Sequence, residues 1–220
     1  RIYIDDADHF EIVHMTSLTT AETLIADMQE KSHIDGSDQW TLFELANDYG
    51  IERPLRDWDV ISDTIESWEA NSSNALVLRR YTLRSTLTVD GLVEHYPTLS
   101  GWMYLEMKKH KWQKKHFVLK EGAIYFSKDI KGTNEQFLCA LSNFDIYTLT
   151  KSRKKAPTEF IFSLKSSDSV HLFENAEDFV HFICVESGDA LKEWVLGLRQ
   201  AKVSSSSSQG WRMEANADSG

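Results

Sequence analysis

The sequence predicts an α+β chain of two domains: a small mixed roll, then a seven-stranded bent antiparallel β-barrel with one C-terminal helix. Two observations predict it. Through the first half, apolar residues switch between helical and period-2 spacing, whereas residues 100–202 hold seven short strand-like runs and one amphipathic helix. Charge divides at the same place: residues 1–81 carry 6 Lys+Arg against 17 Asp+Glu, net −11, and residues 100–202 carry 16 against 13, net +3. With 220 residues, 41% of them hydrophobic, the chain has material for two cores.

In the first half, Ile2-Tyr3-Ile4 and Phe10-Glu11-Ile12-Val13-His14-Met15 read as strands parted by the turn-forming Asp5-Asp6-Ala7-Asp8-His9. Thr19 and Glu22 have capping-box spacing, and Leu24, Ile25 and Met28 continue a helix to about His33. Trp40-Thr41-Leu42-Phe43-Glu44-Leu45 alternates as a strand, and Pro54-Leu55 breaks the chain. A second helix carries Val60, Ile61, Ile65 and Trp68 on its inner face, and Ala75-Leu76-Val77-Leu78 closes the sheet. Residues 82–99 lose this periodicity and read as a linker with one docked turn at Leu92-Val93.

In the second half the seven strands fall at Gly101–Leu105, His116–Leu119, Ala123–Phe126, Phe137–Leu141, Asp145–Leu149, Phe160–Leu164 and Phe179–Cys184. Gly188-Asp189 opens a last helix whose stripe is Leu191, Trp194, Val195 and Leu198. Residues 203–220, with serines at 204–208, read as a disordered low-complexity tail. Arg1-Ile2-Tyr3-Ile4-Asp5 reads as a cut strand, so the expected protein starts further upstream.

Several function classes are disfavoured. No apolar run approaches the ~18 residues that span a bilayer. Cys139 and Cys184 are too few for a disulfide framework and suit a reducing, cytoplasmic setting. Nucleic acid is a poor partner, because the first half repels phosphate and the second lacks an aromatic-interleaved basic stripe. The eight histidines show no metal spacing, and no Gly-rich phosphate loop or nucleophile elbow occurs. The expectation is therefore a non-enzyme with no cofactor and no metal.

Lys111-Trp112-Gln113-Lys114-Lys115-His116-Phe117-Val118-Leu119 followed by Gly122-Ala123-Ile124-Tyr125-Phe126 resembles the opening strands of pleckstrin-homology (PH) domains. Lys155–Phe160 and Leu191–Arg199 are similar to the RIAM–lamellipodin adaptors and the related growth-factor-receptor-bound adaptors. Lys31-Ser32-His33, Trp40–Glu44 and Ile51–Asp57 resemble the Ras-association (RA) domain of the same group. The resemblance implies a ubiquitin-like β-grasp domain over 1–81, a linker over 82–99 and a PH-type barrel over 100–202. It further implies a signalling adaptor that binds a GTP-bound Ras- or Rap-family GTPase and a phosphoinositide membrane. Its expected place is the cytoplasm, with peripheral recruitment to the plasma membrane and coupling to the actin cytoskeleton. The alternative is an RA domain without GTPase binding, acting as a structural or autoinhibitory module on the PH domain.

The lipid site is expected at Lys108, Lys109, Lys111, Lys114 and Lys115, joined by Lys128 and Lys131 and by Lys151, Arg153, Lys154 and Lys155. In an up-and-down sheet alternate loops share one end, so these three basic loops are expected to form one phosphate cup. Against the family pattern, Glu106 and Gln113 stand where basic residues are expected and Lys115 stands for an arginine, which predicts weak, salt-sensitive binding. Trp112, within the basic hairpin, either inserts at a membrane interface or packs on the sheet, and Trp194 is expected as a core plug. The GTPase face is expected at Arg1, His9, Phe10 and Lys31, with the second strand adding to the partner's sheet.

Overall fold

The computed structural model describes residues 1–91, 98–108 and 110–217, with side chains to residue 203. It separates into two compact units, residues 1–92 and 93–220.

The first unit is a five-stranded sheet in the order β2-β1-β5-β3-β4 with two helices. Its strands are β1 (Ile2–Ile4), β2 (Phe10–Glu11), β3 (Trp40–Ala46), β4 (Ile51–Pro54) and β5 (Ala75–Arg80). The helices are α1 (Ala21–Glu30) and α2 (Ile61–Glu66). β1 lies parallel to β5 and antiparallel to β2, while β3 is antiparallel to both β4 and β5. One face of the sheet meets Leu24, Ile25 and Met28 of α1 and Ile61 of α2, closing a core that includes Ile2, Ile4, Leu42 and Leu78.

Four details differ from the sequence expectation. The cap of α1 is Thr20, whose hydroxyl accepts from the Thr23 amide at 3.2 Å, while Thr19 binds the Thr16 amide instead. β2 ends at Glu11, because β1 offers only three residues to pair with, and Ile12 is exposed. α2 turns Ile61 and Thr64 inward, and Trp68 packs on the same core just past the helix end; Ile65 turns outward. Finally, Ile51–Pro54 is a strand rather than a break, since Pro54 ends β4 opposite Phe43 and costs no interior hydrogen bond.

Residues 84–91 form two 3₁₀ turns docked on this unit, with Leu87 buried, where the sequence predicts a linker whose one docked turn falls later, at Leu92-Val93. Arg84 holds them down by donating to the Trp40 carbonyl at 3.0 Å and pairing with Asp57. The expected turn at Leu92-Val93 lies outside the described residues.

The second unit has all seven expected strands. They are β6 (Ser100–Lys108), β7 (Lys111–Lys120), β8 (Ala123–Ser127), β9 (Gln136–Ala140), β10 (Phe144–Leu149), β11 (Ile161–Ser166) and β12 (Val180–Cys184). Their order is β10-β11-β12-β6-β7-β8-β9, antiparallel throughout. The final helix, α3 (Gly188–Ala217), sets Trp194, Val195, Leu198 and Ala201 into the core beside Phe117, Phe162 and Ile183. Ser187, not Gly188-Asp189, supplies the capping oxygen, accepting from the Ala190 amide at 3.2 Å. The helical backbone continues through the serine run to Ala217, where the sequence predicts a disordered tail; serine is a mediocre helix former but no breaker.

Candidate functional site

The meander β6-β7-β8-β9 brings the β6–β7 hairpin and the β8–β9 loop to one end of the barrel, its mouth. On β7, alternation turns Lys115, Phe117 and Leu119 toward the core side, and Lys115 is the half-buried member nearest the mouth. Its ammonium lies 6.0 Å from the Phe126 ring centre. Lys115 and Lys128 line one cavity of about 260 Å³ with Phe126, Ser127, Asn134 and Gln136. Lys108, Lys111 and Lys131 are exposed around that end. Lys109 lies outside the described residues.

The third loop at the mouth is not the one the sequence predicts. β9 and β10 stand at opposite ends of the strand order, so the alternation of loop ends is broken between them. β12 runs antiparallel to β6 with Ile183 opposite Leu105 and Cys184 opposite Tyr104, which carries Val180 toward the Lys108 end of β6. The connection reaching the hairpin end is therefore residues 167–179, which hold Asp168, Glu174, Glu177 and Asp178 and no Lys or Arg. The mouth has two basic loops and one acidic one, not three basic ones.

The basic connection 150–160 lies instead over the outer face of the sheet. Arg153 stacks on Phe182 at 3.3 Å and donates to Glu106 at 2.6 Å. The Glu106 carboxylate is only 5% exposed, and its other oxygen accepts from the His110 amide at 2.6 Å, closing the β6–β7 turn. Thr158 fixes the far end of the loop on the Val185 carbonyl. Lys151, Lys154 and Lys155 are exposed on this loop. Lys114 also faces outward, opposite Tyr104, with its ammonium 3.1 Å from Glu186. That hydrogen bond and charge raise its pKa. The ten expected cations among the described residues thus divide between two faces. Glu106 is the residue whose role the sequence obscured: a carboxylate at a position expected to be basic serves as the anchor for a loop. Trp112, paired with Glu106 across the strands, is half-buried on this outer face, with its indole nitrogen shielded, and so packs on the sheet.

In the first unit, β2 is the outer strand of the sheet, leaving one edge unpaired within that unit. Arg1 lies 4.8 Å from the Phe10 ring centre, and Tyr3 packs on Phe10 at 5.9 Å. The His9 carbonyl accepts from the Ile4 amide, and the Asp6 carboxylate accepts from the amides of Asp8 and His9, so the acidic turn is held by its own backbone. Lys31 pairs with Asp27 at 2.7 Å on the surface of α1. His33, just past α1, reaches Glu11 of β2 at 3.2 Å and ties the helix end to the edge strand. Arg1 and Phe10 are brought together, while Lys31 is answered within its own helix.

The fold and these faces define a two-domain chain, an RA-like domain followed by a PH domain. Family models match the RA-like domain over residues 1–85 and the PH domain over residues 97–203. In sequence the chain is similar to the human amyloid beta A4 precursor protein-binding family B member 1-interacting protein, 23% identical over 86% of this chain and 36% of the relative. It is similar to growth factor receptor-bound protein 14 of Rattus norvegicus, 23% identical over 92% of this chain and 43% of the relative. The chain thus spans less than half the length of these two relatives. In structure it is similar to the coiled-coil, RA and PH domains of lamellipodin, with TM-score 0.72 and 19% identity, covering 91% of this chain and 85% of that one.

Proposed function

We propose that this chain is the targeting region of a signalling adaptor: the PH domain seeks an anionic, phosphoinositide-bearing leaflet, and the RA domain engages a GTP-bound Ras- or Rap-type GTPase. The observation that carries the reading is the mouth of the barrel, where Lys115 and Lys128 share a cavity and Lys108, Lys111 and Lys131 stand at the same end. Each such charge near an anionic leaflet contributes about 1 kcal/mol. Lysines are point charges without a bidentate fork, so the binding is weak, salt-sensitive and little selective among headgroups. For the RA domain, support comes from the open edge of β2 with Arg1 and Phe10 beside it. Two weak contacts on one chain reinforce each other by roughly a hundredfold when both engage one surface. Liposome co-sedimentation with and without lipidated, GTP-loaded Ras or Rap tests this. Cooperative recovery supports it, and equal binding in both cases overturns the coincidence mechanism.

One observation favours a second reading, in which the RA domain does not bind a GTPase. Lys31, Arg53, Arg56, Arg79, Arg80 and Arg84 all pair with carboxylates of their own unit, and among the described residues only Arg1 has no such partner. A domain of this charge offers little to an acidic switch region. Titration against a panel of GTP-loaded GTPases separates the readings: no binding at ~100 μM leaves the RA domain as a structural module.

A further inference from the structure

We infer that Ile130 is a membrane-inserting residue, driven into the acyl boundary of an anionic leaflet by the lysines on either side of it. This rests on the lipid reading of the mouth and adds a non-electrostatic part to it.

Ile130 sits in the β8–β9 loop and is 71% exposed. An exposed isoleucine alone is unremarkable on a protein surface. The loop around it is not irregular, however. Ser127 donates its hydroxyl to the Asp129 carbonyl at 2.6 Å, and the Asp129 carboxylate accepts from the Thr133 amide at 3.1 Å. These hydrogen bonds from the Thr133 backbone and side chain hold the Asp129 carboxyl below its ordinary range, so it stays ionised and occupied within the loop. Gly132 takes φ +74°, which turns the chain back after the tip. The other acid of the loop, Glu135, pairs with Lys120. Both carboxylates are thus answered by protein groups, while Lys128 and Lys131 have no ion pair among the described residues. Among the exposed residues of the loop are Lys128, Ile130 and Lys131, a hydrophobe between two cations. At the root of the loop Lys128 and Lys115 line one cavity, so the loop adjoins the proposed anion site. On the neighbouring hairpin at the same end, Met107 is also exposed, beside Lys108. An anionic bilayer matches this chemistry in both parts: its headgroups answer the lysines, and its acyl boundary takes the isoleucine.

The test uses the whole chain and vesicles of phosphatidylcholine with about 30% phosphatidylserine. Cys139 and Cys184 are both buried, so Ile130→Cys offers a single accessible thiol for an environment-sensitive fluorophore. Blue-shifted emission on adding anionic vesicles, quenched by lipid-borne acyl-chain quenchers, is the expected result. Ile130→Ser should lower vesicle partitioning roughly fivefold to tenfold while leaving the salt dependence unchanged. Lys115→Glu should lower partitioning and flatten its salt dependence. If Lys115→Glu abolishes binding while Ile130→Ser binds as wild type and the probe stays in water, insertion is wrong and the lipid reading stands. Wild-type chain that ignores anionic vesicles altogether overturns both.

Discussion

The two units differ in how much of their positive charge is already paired to acids. In the RA-like unit the arginines are structural: Arg53 donates at 2.6 Å to Glu44, which is fully buried and also accepts from the Trp68 indole at 2.9 Å. Arg79, Arg80 and Arg84 pair with Glu52, Asp35 and Asp57. In the PH unit, by contrast, Lys108, Lys111, Lys128 and Lys131 have no carboxylate partner among the described residues. Net charge therefore misleads as a guide to availability. What decides whether a cation can meet a ligand is whether a neighbouring acid has already engaged it.

The largest test of that contrast is charge reversal at the mouth. Lys115→Glu with Lys128→Glu removes two attractive charges and adds two repulsive ones, so at about 1 kcal/mol each vesicle affinity should fall about a thousandfold at low salt. Thermal stability should move little, because neither lysine is paired to an acid. Sedimentation with anionic vesicles, alongside a melting curve, reads both quantities. A large loss of stability would place these lysines with the arginines of the first unit.

The converse test removes an acid from the first unit. Glu44→Ala leaves Arg53, whose side chain is 12% exposed, without its strongest partner and strips the Trp68 indole of its acceptor. The expected cost is about 3 kcal/mol of unfolding free energy, with vesicle binding by the PH domain unaltered. Denaturant titration measures it. A cost below 1 kcal/mol would mean these pairs are dispensable and the arginines open to partners.

A third test uses pH. His181 stacks on Phe144 at 5.7 Å, and burial lowers its pKa to about 4, partly opposed by Asp178. A folded pKa below the ordinary 6.5 means the unfolded chain binds a proton the folded one does not. Stability is therefore complete above pH 6.5 and falls as pH drops toward 4, by on the order of 2 kcal/mol at pH 5. His181→Phe should flatten that slope between pH 6.5 and 5, and an unchanged slope would assign it to other groups.

The strands and the closing helix were legible because their signals are local. Short apolar runs marked all seven strands of the barrel, and the stripe of Trp194, Val195 and Leu198 marked α3. β4 was missed because Pro54 reads as a breaker, although Asn47-Asp48-Tyr49-Gly50, with Gly50 at φ +67°, is the hairpin turn that announces it. The site was legible only in part. Loop positions depend on strand order, and the jump from β9 to β10 across the sheet leaves no mark in the sequence. That one topological fact moved Lys151, Arg153, Lys154 and Lys155 to the outer face and brought an acidic loop to the mouth.

The smallest effect argues the same point at the scale of one residue. Lys114 and Lys115 are adjacent, and a charge run treats them alike. On a strand they face opposite ways: Lys115 shares a cavity with Lys128, whereas Lys114 faces Tyr104 and meets Glu186 at 3.1 Å. Lys115→Ala should cost about fivefold in vesicle binding, the worth of one well-placed charge. Lys114→Ala should cost under twofold, because its ammonium lies on the outer face opposite Tyr104, away from the cavity at the mouth. A double substitution, Lys114→Ala with Glu186→Ala, should bind as wild type. Equal losses at 114 and 115 would show that membrane attraction sums over the whole basic surface, and the division into two faces would then have no consequence for binding.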